Sequence, residues 1–305
     1  QRRVSAARTA LAWRGMMEGV TFSFVSRREA ELFGGGAEAL TLANPISADL
    51  DVMRPTPLVN LATAAVRNAD RGFGDLALFE VGPQYLDDSP EGQFTVAAGL
   101  RHGSAQPRHW AGGQRAVDAF DAKGDAEAVL AACEAPVENL QVTRDAPSWY
   151  HPGRSGVLHL GPPVLAQFGE LHPRVLKTLD LKGPAVAFEV FLDTIPLPRA
   201  GRQKRPLLEL SPFQPVSRDF AFLVDEDVPA EKLLRAARGA DKALISEVAL
   251  FDVYQGKGVE PGKKSLAIAV TLQPRQATLT DQEIEAVAEK VVAQVTKATG
   301  GTLRG

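Results

Sequence analysis

The most informative part of the chain runs from Ser211 to Val270 and reads SPFQPVSRDFAFLVDEDVPAEKLLRAARGADKALISEVALFDVYQGKGVEPGKKSLAIAV. Its first apolar residues alternate with smaller or polar neighbours, which is the period of a half-buried strand. They are Phe220, Phe222 and Val224. Pro229 then opens a run of apolar residues at helical spacing, which ends before Gly239. They are Leu233, Leu234 and Ala237. The stretch therefore begins with a strand and a helix.

A β-hairpin and a second helix follow. Ile245–Tyr254 is apolar and ends at the turn-rich sequence QGKGVEPGKK, and Ser265–Leu272 alternates again. Thr280 and Glu283 then form a capping box that opens a long helix. The buried stripe of this helix comprises Ile284, Val287, Ala288, Val291, Val292 and Val295. With a short strand at Leu303, the predicted order is β-α-β-β-α-β, the ferredoxin-like arrangement.

Three segments of this region carry a family resemblance: SPFQPVSRDFAFLVDEDVP, LFDVYQGKGVEPGKKSLAIAVTLQ and TLTDQEIEAV. In this order they resemble the ferredoxin-fold anticodon-binding domain at the C-terminus of bacterial phenylalanyl-tRNA synthetase beta subunits. Because one fold hosts many functions, the resemblance and not the topology points to RNA.

Composition sets broad limits. The chain has 305 residues, is 45% hydrophobic and 23% charged, and carries a net charge of −3, so RNA contact requires a local basic patch. A single cysteine, Cys133, excludes an internal disulfide framework, and no run reaches the ~20 apolar residues of a membrane span. We expect a cytoplasmic protein. Because the chain opens at Gln1 in helical sequence, we also expect further domains upstream.

The first two hundred residues predict an α+β domain on a largely antiparallel sheet. The predicted helices are Arg3–Met17, a short helix capped by Ser26 and Glu29, Leu58–Asn68 and Ala126–Cys133. The predicted strands are Val20–Phe24, Leu76–Val81 ending at Gly82-Pro83, Thr95–Arg101, Ser155–Leu160, Val164–Phe168 and Ala185–Leu192.

This region carries a second resemblance, through NPISADLDVMRPTPLVNLATAAVRN with LFEVGPQY after it, then YHPGRSGVLHLG and FGELHPRVL. These segments resemble the catalytic-like, class II synthetase module of the same beta-subunit family. The implied domains are a catalytic-like module over 1–197 and an anticodon-binding domain over 210–305. The linker between them, 198–209, is rich in proline and arginine.

An active class II ligase needs arginines on the ATP phosphates, because the adenylation transition state concentrates negative charge. The sequence lacks them at the matching positions: Leu78 stands two residues before Glu80, and AFEVFLDTI offers Glu189 and Asp193 without an arginine. We therefore predict a non-catalytic module with no catalytic residues.

The other chemical candidates are weaker. The five histidines and Cys133 share no metal-ligand spacing, so no metal is expected. Gly34–Gly36 is interpreted as a flexible turn, and His151–Ser155 as a turn in which Arg154 either stabilises the chain or binds an anion. Arg54 is interpreted as part of a structural ion pair or of an interface.

The candidate RNA-binding residues lie in the last domain. Aromatic residues are missing from the outward face of Ser265–Leu272, so no base-stacking platform is expected there. The candidates are instead placed near loops and strand ends: Arg218, Tyr254, Lys257, Lys263, Lys264 and Arg275. The alternative for the lysines is a solvated hairpin tip. Basic residues in the linker have the same two interpretations.

The resemblance implies the C-terminal part of a beta subunit that supports ATP-dependent charging of tRNA(Phe). It implies an alpha subunit as partner in an (αβ)2 assembly, with ATP and Mg²⁺ used by the whole enzyme and no cofactor bound by this part. Neither DNA nor a membrane is an expected partner. The rivals are an independent active class II ligase and an RNA-binding or structural ferredoxin-like module without a synthetase partner.

Overall fold

The structure is a computed structural model that describes residues 1–197 and 210–304. Contacts between Cα atoms divide the chain into an N-terminal unit, Gln1–Gln203, and a C-terminal unit, Lys204–Gly305. The predicted linker, 198–209, lies outside the described residues, and its boundaries stay a prediction.

The N-terminal unit is α+β. Its helices are α1 (Arg2–Trp13), α2 (Arg27–Leu32), α3 (Leu58–Ala69), α4 (Ala119–Ala132) and α5 (Pro173–Leu179). Its strands are β1 (Met17–Glu18), β2 (Phe24–Val25), β3 (Val52–Met53), β4 (Leu76–Tyr85), β5 (Gln93–His102), β6 (Gln141–Thr143), β7 (Tyr150–His159), β8 (Val164–Leu171) and β9 (Ala185–Phe191).

Within residues 1–197, seven of these strands form one sheet in the order β1-β4-β5-β9-β8-β7-β6, while β2 and β3 pair separately. The short β1 is parallel to β4 and the other neighbours are antiparallel, which confirms the largely antiparallel sheet. Helices α1 and α4 pack on one face and α2, α3 and α5 on the other. Because both faces are covered, the central strand β9 reads as a nearly continuous apolar run.

Three local predictions were wrong. The strand predicted at Val20–Phe24 is reduced to Phe24–Val25, because Val20 and Phe22 alternate on a segment exposed to solvent, at 87% and 66%. Strand β4 continues through Gly82-Pro83 to Tyr85. Proline has no N–H to donate to a neighbouring strand, but β1 pairs with β4 only at Leu78 and Phe79, so no hydrogen bond to β1 is required of Pro83.

The third error concerns the segment His151–Ser155, which was predicted as a turn. It lies inside β7, where the register with β8 shifts between Tyr150 and Ser155, as in a β-bulge. The bulge brings Nε of Arg154 to 2.6 Å from Oε2 of Glu170 on β8. Arg154 therefore has the structural role that the sequence left as one of two interpretations.

The C-terminal unit has the predicted order β-α-β-β-α-β, which confirms the ferredoxin-like fold. Its elements are β10 (Val216–Asp225), α6 (Ala230–Ala240), β11 (Ile245–Tyr254), β12 (Lys263–Leu272), α7 (Asp281–Thr299) and β13 (Thr302–Leu303). The strands form an antiparallel sheet in the order β11-β12-β10-β13. Thr280 and Glu283 form the predicted capping box of α7, and Gly300 ends the helix with φ of 72°, a left-handed conformation that suits glycine.

One face of this sheet carries the core. Side chains of β10 and β12 pack there against the buried stripes of α6 and α7: Phe222, Val224, Leu266, Ile268, Leu233, Ala237, Val287 and Val291. Across the sheet on the opposite face, Ala267, Ala269 and Thr271 are half-buried, and no helix of residues 210–304 covers them. The predicted absence of aromatic side chains on this face of β12 is confirmed.

Candidate functional site

The N-terminal sheet brings together the two glutamates that stand at the synthetase signature positions. Glu80 on β4 pairs with Ala98 on β5, Ala98 pairs with Glu189 on β9, and Glu189 pairs with Gln167 on β8. Directly opposed residues of antiparallel strands point to one face. The four residues therefore form a single row across the sheet, on the face that carries α2, α3 and α5.

Arg54 closes one end of this row. Its side chain is 1% exposed, and its Nη2 lies 2.9 Å from Oε1 of Glu80. The other nitrogens donate to Thr21 Oγ1 at 2.9 Å and to the carbonyl oxygen of Pro83 at 3.0 Å. Thr21 in turn donates to Oε2 of Glu80 at 2.6 Å. Each nitrogen of this guanidinium thus has a partner inside the unit, which confirms the structural ion pair.

Tyr150 and Gln167 close the other end. Tyr150 donates its hydroxyl to Oε2 of Glu189 at 3.0 Å, and Gln167 donates its amide to the same oxygen at 2.5 Å. Burial raises the pKa of Glu189 above its usual value, although its hydrogen bonds oppose the shift. Burial, reinforced by the nearby Glu189, raises the pKa of the Tyr150 hydroxyl well above its usual value.

Aromatic residues seal the same region. Trp149 lies 6.1 Å from Tyr150 and 6.4 Å from Phe33 between ring centroids. A Cβ at Gly34 would come within 2.9 Å of the Trp149 ring, so this glycine, with φ of 79°, allows the loop after α2 to approach the indole closely. The row is therefore closed and self-paired, and its guanidinium is not directed at an open phosphate site.

The sequence did not identify Tyr150 or Gln167 as members of this row. A glutamine inside the otherwise apolar strand VLAQFGEL was a usable signal, because a buried amide needs a partner. The alignment of β8 with β9 that supplies this partner is not readable from local sequence.

The six candidate RNA-binding residues fall into two groups in the C-terminal unit. Tyr254, Lys257, Lys263 and Lys264 surround the hairpin between β11 and β12, here called the lysine tip. Arg218 pairs with Val270 and therefore lies within β10, two residues after its first residue, Val216. Lys264 pairs with Val224, six residues further along, so Arg218 lies about 20 Å from the tip.

The lysine tip is balanced by acids. Nζ of Lys263 lies 2.8 Å from Oε2 of Glu260, and their hydrogen bond lowers the pKa of Glu260 and raises that of Lys263. Lys264 donates to the carbonyl oxygen of Glu226 at 2.8 Å, next to the acidic run 225–227. The Tyr254 hydroxyl donates to the carbonyl oxygen of Lys257 at 3.1 Å and braces the turn.

The opposite end of the unit, here called the arginine end, comprises Arg218, Lys242 and Arg275. Leu272 at the end of β12 pairs with both Val216 and Ile245, which brings the starts of β10 and β11 to this end. All three cations are exposed, and among the described residues none has a carboxylate at ion-pair distance. The sequence missed Lys242 because it lies 24 residues from Arg218 and comes to the same end of the unit only through strand pairing.

The other features considered from the sequence are the glycine-rich turn, metal sites, membrane spans and the basic linker. Gly34–Gly36 follows α2 as a turn, as predicted. Among the described residues, no cluster of three or more His, Cys, Asp or Glu side chains is arranged to hold a metal ion. No helix in the described ranges is both long and apolar enough to cross a membrane. The basic linker residues Arg199, Arg202, Lys204 and Arg205 lie outside the described residues.

Known proteins match the chain along its whole length. Residues 1–192 match the family model "Phenylalanyl tRNA synthetase beta chain CLM domain", and residues 211–304 match "Ferredoxin-fold anticodon binding domain". The chain is 57% identical over 305 residues to the phenylalanine–tRNA ligase beta subunit of Rhodospirillum rubrum. It is 57% identical over 306 residues to that of Paramagnetospirillum magneticum.

Both alignments include 100% of this chain and 38% of the relative, so the chain spans about two fifths of the length of the curated relatives. A solved structure is described as "Crystal structure of Pyrrolysyl-tRNA synthetase from Desulfitobacterium hafniense". The alignment with it covers 63% of this chain and 66% of the chain in that structure. Its TM-score is 0.48 and its sequence identity is 15%. From the two family models and the identity to curated relatives, the chain belongs to the phenylalanyl-tRNA synthetase beta chain family.

Proposed function

We propose that this chain is the C-terminal part of the beta subunit of a phenylalanine–tRNA ligase. It supports ATP-dependent charging of tRNA(Phe) through subunit assembly and anticodon-arm binding in the cytoplasm. The observation that carries the proposal is the match to beta subunits over all 305 residues, which includes both units in the same order. The alternative, a ferredoxin-like module that acts without a synthetase partner, does not explain the synthetase-like unit that precedes it in this chain.

The N-terminal unit is proposed to be non-catalytic. Arg54 is committed to Glu80, and Glu189 to Tyr150 and Gln167, so this row supplies no free guanidinium for the charge of an adenylation transition state. ATP and Mg²⁺ then act on the alpha subunit. The test is phenylalanine-dependent ATP–pyrophosphate exchange with the purified chain alone: no exchange is expected, and clear exchange would overturn the assignment.

The partner of the N-terminal unit is proposed to be the alpha subunit of the ligase. Around the short edge strand β1, large apolar side chains are open to solvent: Trp13 at 87%, Met17 at 60%, Val20 at 87% and Phe22 at 66%. Exposed apolar patches of this kind mark protein interfaces. The expected interface exceeds the standard ~1,600 Å², as obligate interfaces do.

A truncated chain that ends at Leu197 should still bind the alpha subunit on size exclusion. Met17→Asp with Phe22→Asp should abolish binding, whereas Phe73→Asp, a matched change at a residue that is 62% exposed elsewhere, should not. Loss of binding on truncation would instead assign the interface to the C-terminal unit.

The C-terminal unit is proposed to hold the anticodon arm, mainly through the arginine end. Arg218, Arg275 and Lys242 are exposed and have no described carboxylate partner, whereas two of the tip lysines are already engaged. Tyr254, Lys257, Lys263 and Lys264 then form a secondary contact. The assignment of RNA to these residues is tested by charge reversal at each end in turn.

A further inference from the structure

One loop of the N-terminal unit presents a tryptophan entirely to solvent. The segment Ser104–Ala116, here called the Trp110 loop, connects β5 to α4, and the Trp110 side chain is 98% exposed. Large aromatic side chains carry the greatest apolar area of any residue type and are normally covered at least in part. An indole that is fully exposed on a loop therefore requires a reason.

The base of the Trp110 loop is firmly closed. Ala105 N donates to Arg115 O at 3.0 Å, and Val117 N donates to Gly103 O at 3.0 Å. Arg115 also holds Asp121 on α4 through two parallel hydrogen bonds of 2.7 Å, and the bond from Arg115 lowers the pKa of Asp121. The loop therefore leaves the domain from a fixed point.

The tip is ordered as well, around His109. Its Nδ1 accepts a hydrogen bond from Ala111 N at 3.2 Å, and its Nε2–H donates to Gln106 Oε1 at 3.3 Å. A Cβ at Gly112 would lie 2.8 Å from the His109 ring, so the glycine allows the backbone to pass over the imidazole. These contacts fold the tip around His109 and leave the next side chain, Trp110, pointing away from the protein.

The chemistry around Trp110 favours a polyanion. Residues 103–117 contain Arg108, His109 and Arg115 and no carboxylate, and Arg115 is occupied by Asp121. The loop has no second large apolar side chain, since its other apolar residues are alanines and Pro107. Outside the loop, Phe120 in the first turn of α4 is also exposed, but within the loop Trp110 is the one large apolar side chain that a protein partner could cover. The exposed Trp110 indole and, two residues before it, the exposed Arg108 guanidinium instead match what an unstacked base and its phosphate require.

We propose that the Trp110 loop is an RNA-binding element, in which Trp110 stacks on an unpaired base and Arg108 contacts a neighbouring phosphate. Duplex RNA hides its base faces, so the ligand is a single-stranded segment or an unpaired end. This element is separate from the arginine end and does not depend on the proposed contact of the C-terminal unit with the anticodon arm.

The probe is a single-stranded RNA oligonucleotide added to the full chain in which Arg218→Glu and Arg275→Glu have weakened the other proposed site. Trp13→Phe is added so that emission comes from Trp110 and the half-buried Trp149. The oligonucleotide should quench Trp110 emission. Replacing Trp110 by Ala should weaken binding about five- to 150-fold, the range of base–aromatic stacking, without changing the salt dependence.

Two variants sharpen the test. Arg108→Ala should lower the slope of log affinity against log salt by about 0.7, the value of one single-strand phosphate contact. Using Ala in place of Phe at position 13, where the native Trp13 is 87% exposed on α1, should leave RNA affinity unchanged, so that the loss of any exposed aromatic ring is not enough to weaken binding. Unchanged emission together with unchanged affinity of Trp110→Ala would overturn the proposal. A response of Trp110 to purified alpha subunit but not to RNA would overturn it in favour of a protein contact.

Discussion

The two units use their charged residues in different ways. In the N-terminal unit Asp125 is fully buried, and its carboxylate holds both Arg14 and Arg101, with Nε of Arg101 2.6 Å from Oδ2. In the C-terminal unit each described ion pair has one partner that is more than half exposed, as in Glu260 with Lys263. Buried pairs hold helices and strands together, whereas exposed charges are available to a polyanion. This difference fits the proposal that the C-terminal unit contacts RNA through its surface charges.

The largest effect is expected from Asp125→Ala. The substitution leaves Arg14 and Arg101 without their shared carboxylate where α1, β5 and α4 meet. Breaking a buried pair by removing one partner costs about 3–5 kcal/mol. Urea unfolding followed by circular dichroism should show this loss in the free energy of unfolding.

Glu134→Ala is the matched control, because it breaks an ion pair with Arg2 whose side chains are 90% and 54% exposed. Exposed pairs contribute about 0–1 kcal/mol, so the control should unfold close to the parent. Equal losses in both variants would mean that the buried carboxylate has no special role in the N-terminal unit.

The next effect is a pH dependence that arises from Glu189. Burial raises the pKa of this carboxyl above its ordinary value of 4.5 in the folded protein. Below pH 4.5 the carboxyl is protonated in both folded and unfolded chains. As the pH rises from 4.5 towards the pKa in the folded protein, Glu189 ionises in the unfolded chain but not yet in the folded one. The free energy of unfolding therefore falls over this range.

Glu189→Gln removes that loss and keeps an oxygen to accept hydrogen bonds from Tyr150 and Gln167. The melting temperature of the variant relative to the parent should therefore increase from pH 4 to pH 7. Glu91→Gln, at an exposed glutamate, should show no such trend. A difference for Glu189→Gln that is flat with pH would show that the carboxyl is not titrating in the folded unit.

The contrast between the units also explains what the sequence could predict. In the C-terminal unit the alternation of Phe220, Phe222 and Val224 and the capping box at Thr280 and Glu283 are local signals, and each gave the correct element. In the N-terminal unit the same alternation at Val20–Phe24 was misleading, because alternating apolar residues also occur on an exposed segment. Local periodicity does not reveal which segments another surface will cover.

The candidate sites depend on contacts between distant residues. The pairing of Glu80, Ala98, Glu189 and Gln167 into one row is a matter of strand register, which no local pattern contains. The lysine tip was visible as a cluster in the sequence, but Lys264 donates to the backbone carbonyl oxygen of Glu226, 38 residues upstream, a contact that depends on strand register. Sequence reasoning found the charged residues and missed their partners.

A smaller effect, confined to RNA binding, is expected at the arginine end. Arg218→Glu with Arg275→Glu should weaken tRNA binding by the assembled enzyme on the order of tenfold or more at 0.1 M salt, and reduce the salt slope by about 1.4–1.8. Amino-acid activation should be unchanged. The measurement is a filter-binding titration over a salt series, with Arg235→Glu as the control on the exposed surface of α6.

The smallest effect is expected at the lysine tip, which can be compared directly with the arginine end of the same unit. Lys257→Glu with Lys263→Glu and Lys264→Glu inverts three charges, but Lys263 is already held by Glu260 and Lys264 by the carbonyl oxygen of Glu226. Because these ammonium groups are engaged, we expect the tip to make less than about one single-strand phosphate contact. The slope of log affinity against log salt should therefore change by less than about 0.7 in the variant. The same salt series measures it beside the arginine-end variant. If the tip variant lost more affinity than the arginine-end variant, the lysines would exchange their internal partners for phosphates on binding. The tip would then be the principal RNA contact, and exposed ion pairs would be no obstacle to RNA recognition in this unit.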